Sequence, residues 1–171
     1  MLLTSQRLQY ENYTHHDIDF LTTLLKNPNM VRYIGKGDVR TDDEIHQFFD
    51  WIVGHYERND HYGLKLLIHK DTGEKIGHAG IVPQIIEEEE VLEIGYWIDE
   101  KHWHRGYAKE AANALKGFGL NFLQLDKMIS LIQVGNIASE KVAISIGMVK
   151  EKQIMLKEKN VNVYTIFASN R

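Results

Sequence analysis

Residues 97 to 120 read WIDEKHWHRGYAKEAANALKGFGL, an apolar stretch that turns through Arg105-Gly106 into a helical pattern. A strand followed by a glycine turn and a helix leaves the first helical N–H groups unpaired and pointing outward. The aligned peptide dipoles add partial positive charge at that end, so an anion is stabilised without a dedicated side chain. Gly106 lets a phosphate oxygen approach the backbone, and Arg105 and Lys109 bring full charges beside it. The chemistry suggested is phosphate binding by main-chain amides. A glycine cap on an ordinary surface helix would use the same residues, so other features must decide.

Neither GxxxxGKS/T nor GxGxxG occurs, which speaks against nucleoside-triphosphate hydrolysis and dinucleotide binding of the usual kinds. A pyrophosphate with a long amide-bearing tail suits a turn directly after a strand, because the tail can pair with that strand's edge. His102 and His104 would bind a metal only if further ligands converged, and no metal is expected. His78 lies in a strand-like stretch and faces either an acceptor pocket or the core. The acidic run Glu87–Glu90 is read as a turn between strands, although it could attract a cationic amine.

These residues need a frame. Thr4–Tyr10 reads as a strand and His16–Leu25 as a helix ended by Asn27-Pro28-Asn29. Thr41 with Glu44 has the form of a capping box and opens a helix through about Tyr56. Strands follow at Tyr62–His69, Lys75–Val82 and Val91–Ile98. From Gly106 the spacing of Ala111, Ala112, Leu115, Phe118 and Phe122 is helical. Lys127–Gln133 reads as a strand, Ile137–Ile146 as a helix, and Val149–Leu156 with Val161–Ala168 as a closing hairpin around Glu158-Lys159-Asn160. The order β α α β β β α β α β β is α+β rather than doubly wound. No repeat, linker or composition shift divides residues 1–171, so one domain is expected.

Composition sets outer limits. With 43% hydrophobic and 26% charged residues the chain can bury a core, and no stretch approaches the ~18 apolar residues of a membrane helix. The first residues, MLLTSQRLQY, lack a basic segment before an apolar core, so a cytoplasmic location without a signal peptide is expected. The absence of cysteine excludes thiolate chemistry, and a net charge of −4 argues against a general nucleic-acid binder.

EIGYWIDEKHWHRGYAKEA (93–111) followed by NIASEKVAISIGM (136–148) resembles the GNAT acyl-CoA N-acyltransferases. It is most similar to the branch of ribosomal-protein N-terminal acetyltransferases (RimJ/RimL-like). The resemblance implies the GNAT fold, a central mixed, mostly antiparallel twisted sheet flanked by helices. It implies that His104, Arg105, Gly106, Tyr107, Ala108 and Lys109 hold the diphosphate of acetyl-CoA. Trp103 stands where the family motif usually begins with Gln or Arg. The edge at Tyr96, Trp97 and Ile98 would pair with the pantetheine amides, and Asn136 matches the second acyl-CoA position. By the same likeness a primary amine attacks the thioester directly in a ternary complex, with Glu93 as base through water. The wider family's tyrosine donor falls on Ala143, which leaves Ser139 to protonate the leaving thiolate. The acceptor stays open among a ribosomal-protein N-terminus, a polyamine, an amino acid and an aminoglycoside. Monomer and homodimer both remain open, as does the alternative of a non-catalytic acyl-CoA-binding module.

Overall fold

Alternation in LQYEN, with Leu8 and Tyr10 buried and Gln9 and Glu11 exposed, has the period of a strand covered on one face. In the computed structural model, which describes residues 3–169, Leu8–Asn12 is β1, at one edge of the sheet. Thr4, expected within this strand, makes only an isolated bridge to Gln9. Met1, Leu2, Asn170 and Arg171, at the ends of the expected domain, lie outside the described residues.

Three helices follow: α1 (Ile18–Leu25), α2 (Pro28–Val31) and α3 (Asp42–Arg58). Asn27-Pro28 ends α1 but also opens α2. The Asn27 side chain accepts from Asn29 N at 2.9 Å, and proline sits where its missing N–H costs nothing. The box at α3 is present in both directions, Glu44 N to Thr41 Oγ1 at 3.2 Å and Thr41 N to Glu44 Oε1 at 3.0 Å.

The rest comprises β2 (Gly63–His69), β3 (Lys75–Ile86), β4 (Glu89–Ile98), α4 (Tyr107–Gly117), β5 (Lys127–Gln133), α5 (Ile137–Ser145), β6 (Val149–Leu156) and β7 (Lys159–Phe167). A wider turn, Phe118–Phe122, continues α4 with a Leu123 N to Phe118 O bond of 2.9 Å. Two hairpins are tighter than the sequence suggested. Glu87 and Glu88 (φ 50° and 70°) turn β3 into β4, and Lys157 and Glu158 (φ 47° and 67°) turn β6 into β7. Two-residue turns with both φ positive match the twist of the flanking strands. The acidic run is therefore the tip of a hairpin, with Glu87 paired to Lys152 and Glu90 to Arg58.

Among the described residues seven strands form one mixed sheet in the order β1-β2-β3-β4-β5-β7-β6, an α+β architecture in which only β4 and β5 run parallel. Leu67, Ile76, Ile81 and Ile94 face Ala111, Ala112 and Leu115 of α4. Leu64, Leu66 and Val82 face Leu21, Ile45, Phe49 and Ile52 on the other side. Burial on both faces explains why β2 and β3 read as apolar runs rather than alternating patterns. Among the described residues no helix is long and apolar enough to cross a membrane.

Ile81→Ala, at a site with 0% exposure, should cost about 2–5 kcal/mol in urea denaturation. Ile85→Ala on the same strand, at 64% exposure, should change stability by less than about 0.5 kcal/mol.

Candidate active site

β4 and β5 share one ladder pair, Glu93 with Ile129, and then part. Side chains hold the point of divergence. Ser130 Oγ donates to Ile94 O at 2.8 Å, and Leu131 N donates to Glu93 Oε2 at 3.1 Å. Beyond it, a cavity of about 670 Å³ opens between the strands.

One end of that cavity meets the N-terminus of α4. Gly106 caps the helix at φ 80°, His104 lies at φ 63°, and Arg105 between them is not left-handed. Positive φ at both positions bends the chain sharply as it enters the helix. The caps of α2, α3 and α5 are filled by Asn27, Thr41 and Asn136, whereas no side chain caps α4. Its first N–H groups are not taken by a capping side chain, as is also true of α1.

Of the residues expected to hold the carrier, Tyr96, Trp97, Ile98, His104, Gly106, Tyr107, Ala108, Lys109 and Asn136 all line the cavity. Arg105 does not; it is exposed, and its carbonyl accepts from Arg7 Nη1 at 2.9 Å. Trp103, in the departing motif position, donates its indole N–H to Ile98 O at 2.6 Å. That bond ties the turn to the end of β4 and occupies one acceptor of the expected tail-pairing edge. Asn136 Oδ1 accepts from Ser139 N at 3.3 Å, so this side chain also caps α5.

Glu93 and Ser139, the expected base and donor, line the same cavity. Loss of solvation pushes the Glu93 carboxyl up to about 7, opposed by hydrogen bonds from Gln84 and Leu131 that favour the charged form. Ser139 is fixed through its backbone, its carbonyl accepting from Tyr96 Oη at 2.9 Å across the gap. Ala143 is fully buried. His78, one of whose expected places was an acceptor pocket, is not among the lining residues. It is fully buried beside Phe48 and Trp97, with Nδ1 2.6 Å from Tyr13 Oη, and burial lowers its pKa to about 3. It is a neutral core histidine. Among the described residues no group of three or more His, Asp or Glu side chains could hold a metal ion.

Sequence reasoning missed the strap, residues 27–35, that closes the far wall. Asn27 and Asn29 each donate to Glu100, just beyond β4, at 2.9 Å, while Gln133 Nε2 on β5 donates to Gly35 O at 2.9 Å. The strap thus bridges the two diverging strands and brings Asn29, Met30, Arg32 and Tyr33 to the cavity. Its only signal was a polar cluster that read as a helix stop.

Residues 7–149 match the family described as an acetyltransferase (GNAT) domain. The chain belongs to the GNAT acetyltransferase family. It is 42% identical to YkkB of Bacillus subtilis over 144 residues, covering 82% of this chain and 80% of that protein. A solved acetyltransferase from Agrobacterium tumefaciens is 26% identical over 97% of this chain and 94% of its own, with TM-score 0.80. RimL, a ribosomal-protein α-N-acetyltransferase solved with coenzyme A, shares the fold at TM-score 0.79 and 18% identity, over 98% of both chains. GNAT enzymes use acetyl-CoA as co-substrate, and this chain is an acetyl-CoA-dependent acyltransferase. In the GNAT acetyltransferase frame, the strand gap and the open helix cap are adjoining parts of one cleft.

The Glu93 carboxyl should titrate near 7 by carboxyl carbon NMR, and Gln84→Ala should move it higher by removing a bond that favours the anion. Because its folded pKa lies above the ordinary 4.5, the folded state binds the extra proton between those values. This group therefore lowers stability as pH rises through that window. A Glu93 titration in the ordinary carboxylate range would contradict the geometry.

Proposed function

We propose that this enzyme moves the acetyl group of acetyl-CoA to a primary α-amine, the class to which a peptide N-terminus belongs, by direct attack in a ternary complex. The observation that carries the reading is the uncapped, glycine-curled start of α4 opening into the same cavity as Glu93. The amides from His104 to Lys109 take the diphosphate. The pantetheine tail runs along β4 before Ile98, whose carbonyl already serves Trp103. A backbone N–H near Tyr96 or Trp97 then meets the oxyanion as the amine attacks the thioester carbon.

Glu93 acts as the base, directly or through one water. An α-ammonium has a pKa of roughly 8, so transfer to a group near 7 is uphill by about one unit, ~1.4 kcal/mol. A lysine-like ammonium near 10.4 would be uphill by more than three units, ~4–5 kcal/mol. The walls agree with that preference. Arg32 and Lys109 line the cavity, and Glu93 is the one carboxylate among its lining residues. A polyamine would find little to neutralise its further charges. As acetyl leaves sulfur, the thiolate takes a proton from Ser139 or from water. Ala143 supplies none.

Thiol release from acetyl-CoA should be faster with short peptides bearing a free N-terminus than with spermidine. Release with neither would favour a carrier-binding module without turnover. Glu93→Gln should lower kcat by about 10²-fold and remove the acidic limb of the rate–pH profile; an unchanged profile excludes this base. Gly106→Glu, which sets a negative side chain at the cradle, should weaken coenzyme A binding more than tenfold by calorimetry, with the far-UV spectrum unchanged.

A further inference from the structure

We infer that Arg7 is a positioning residue of the diphosphate loop: it fixes the peptide bond between Arg105 and Gly106 so that the Gly106 N–H points into the cleft. This rests on the reading that the amides from His104 to Lys109 bind the carrier.

A trans peptide carries its C=O and N–H on opposite sides. Arg7 Nη1 donates to Arg105 O at 2.9 Å, so the N–H of the same peptide unit is directed away from Arg7. Gly106, at φ 80°, would not hold this by itself. Turns with glycine at such a position exchange types by flipping the preceding peptide, and glycine accepts either outcome. A flip would present a carbonyl oxygen to an incoming diphosphate where the N–H should be. The external hydrogen bond selects one state.

Arg7 is itself held on several sides. Its backbone N donates to Glu110 Oε2 at 2.8 Å and its Nε to Glu110 Oε1 at 2.7 Å. Its guanidinium lies over the Tyr107 ring, 4.2 Å from the centroid. Glu110 also accepts from Ser5 Oγ at 2.7 Å, and Ser5 from Tyr10 Oη at 2.9 Å. Glu110 N in turn bonds to Gly106 O at 3.1 Å in the first turn of α4. The carboxylate in that first turn therefore orients, through Arg7, the peptide that precedes its own helix. Arg7 also offsets a negative charge that would otherwise face the diphosphate from one turn away. Partial burial pushes the Glu110 carboxyl up, but bonds from Ser5 and Arg7 hold it below the usual range, so the pair stays charged.

Arg7→Ala should raise KM for acetyl-CoA and Kd for coenzyme A about tenfold, ~1.4 kcal/mol, with kcat changed less than twofold. Guanidinium at tens of millimolar should recover part of that affinity, because the Arg7 side chain is 36% exposed and leaves a reachable gap. Ser5→Ala loosens the same cluster without touching the Arg105 carbonyl; it should lower Tm and leave KM unchanged. The double variant Arg7→Ala/Glu110→Gln separates geometry from charge: affinity should stay low. Recovery there to the parent value would reduce Arg7 to a counter-charge and overturn the inference. Equal Kd in Arg7→Ala and the parent, with Gly106→Glu still impaired, overturns the positioning role alone. A parent that takes up no coenzyme A overturns both this role and the reading beneath it.

Discussion

Two parallel strands that meet at one residue pair and then separate set up almost everything else in this molecule. A strand edge in the middle of a sheet is costly, since each buried backbone group left unpaired loses about 1–3 kcal/mol. The fold limits the exposure. The β3–β4 ladder runs from Ile86–Glu89 to Gly77–Ile98, so β4 stays paired on one side along the whole gap. At the point of divergence Ser130 and Glu93 supply side-chain partners where β5 no longer lies against β4. Tyr96 reaches across to α5 and the strap ties to both strand ends, so polar bonds span the gap.

If Glu93 is the base, as proposed above, that requirement and the chemistry meet in one residue. The parting of the strands leaves Leu131 N–H in need of an acceptor, and a carboxylate is the acceptor with lone pairs to spare. Placing it there removes most of its water and raises its pKa to about 7. A glutamine could accept from Leu131 if Gln84 turned its amide, so geometry alone does not demand a titratable group. A proton acceptor poised near neutrality is what the acid adds. On the proposed reading, structural and chemical roles coincide because both follow from standing where the sheet opens.

The sequence made the second half of the chain legible. Strand, glycine turn and helix from 93 to 117 were read from local pattern and found in place, as was the Thr41 box. Local pattern failed where the cause was not local. Turns at Glu87–Glu90 and around Glu158-Lys159-Asn160 were expected, but their two-residue form, with both φ values positive, lacks the usual glycine or asparagine signal. The extra length of β3 passes through Pro83, which normally argues against a strand interior. Arg7 meets Glu110 and Arg105 across about a hundred residues, and the strap meets Glu100 and Gln133 across nearly as many. Such partners have no periodicity to reveal them. His78 shows the opposite limit: its residue type invited a chemical role, but its surroundings removed one.

At the position of the wider family's tyrosine stands a core alanine. Position 143 is fully buried as alanine, and its carbonyl accepts from Met148 N at 3.0 Å beyond the end of α5. Ile146 and Met148 belong to the same buried cluster, so alanine at 143 is part of the core. Tyr96 does not replace the family's tyrosine. Its hydroxyl is committed to the Ser139 carbonyl, and burial pushes its pKa well above the usual phenol value, which makes it a poor proton source. On the proposed reading, protonation of the thiolate falls to the first turn of α5 or to solvent. Sulfur leaves with a modest basicity, since thiols titrate near 8.5, so late protonation by water costs little at neutral pH. The barrier then rests on deprotonating the amine and stabilising the oxyanion, the two tasks for which the parted strands supply groups.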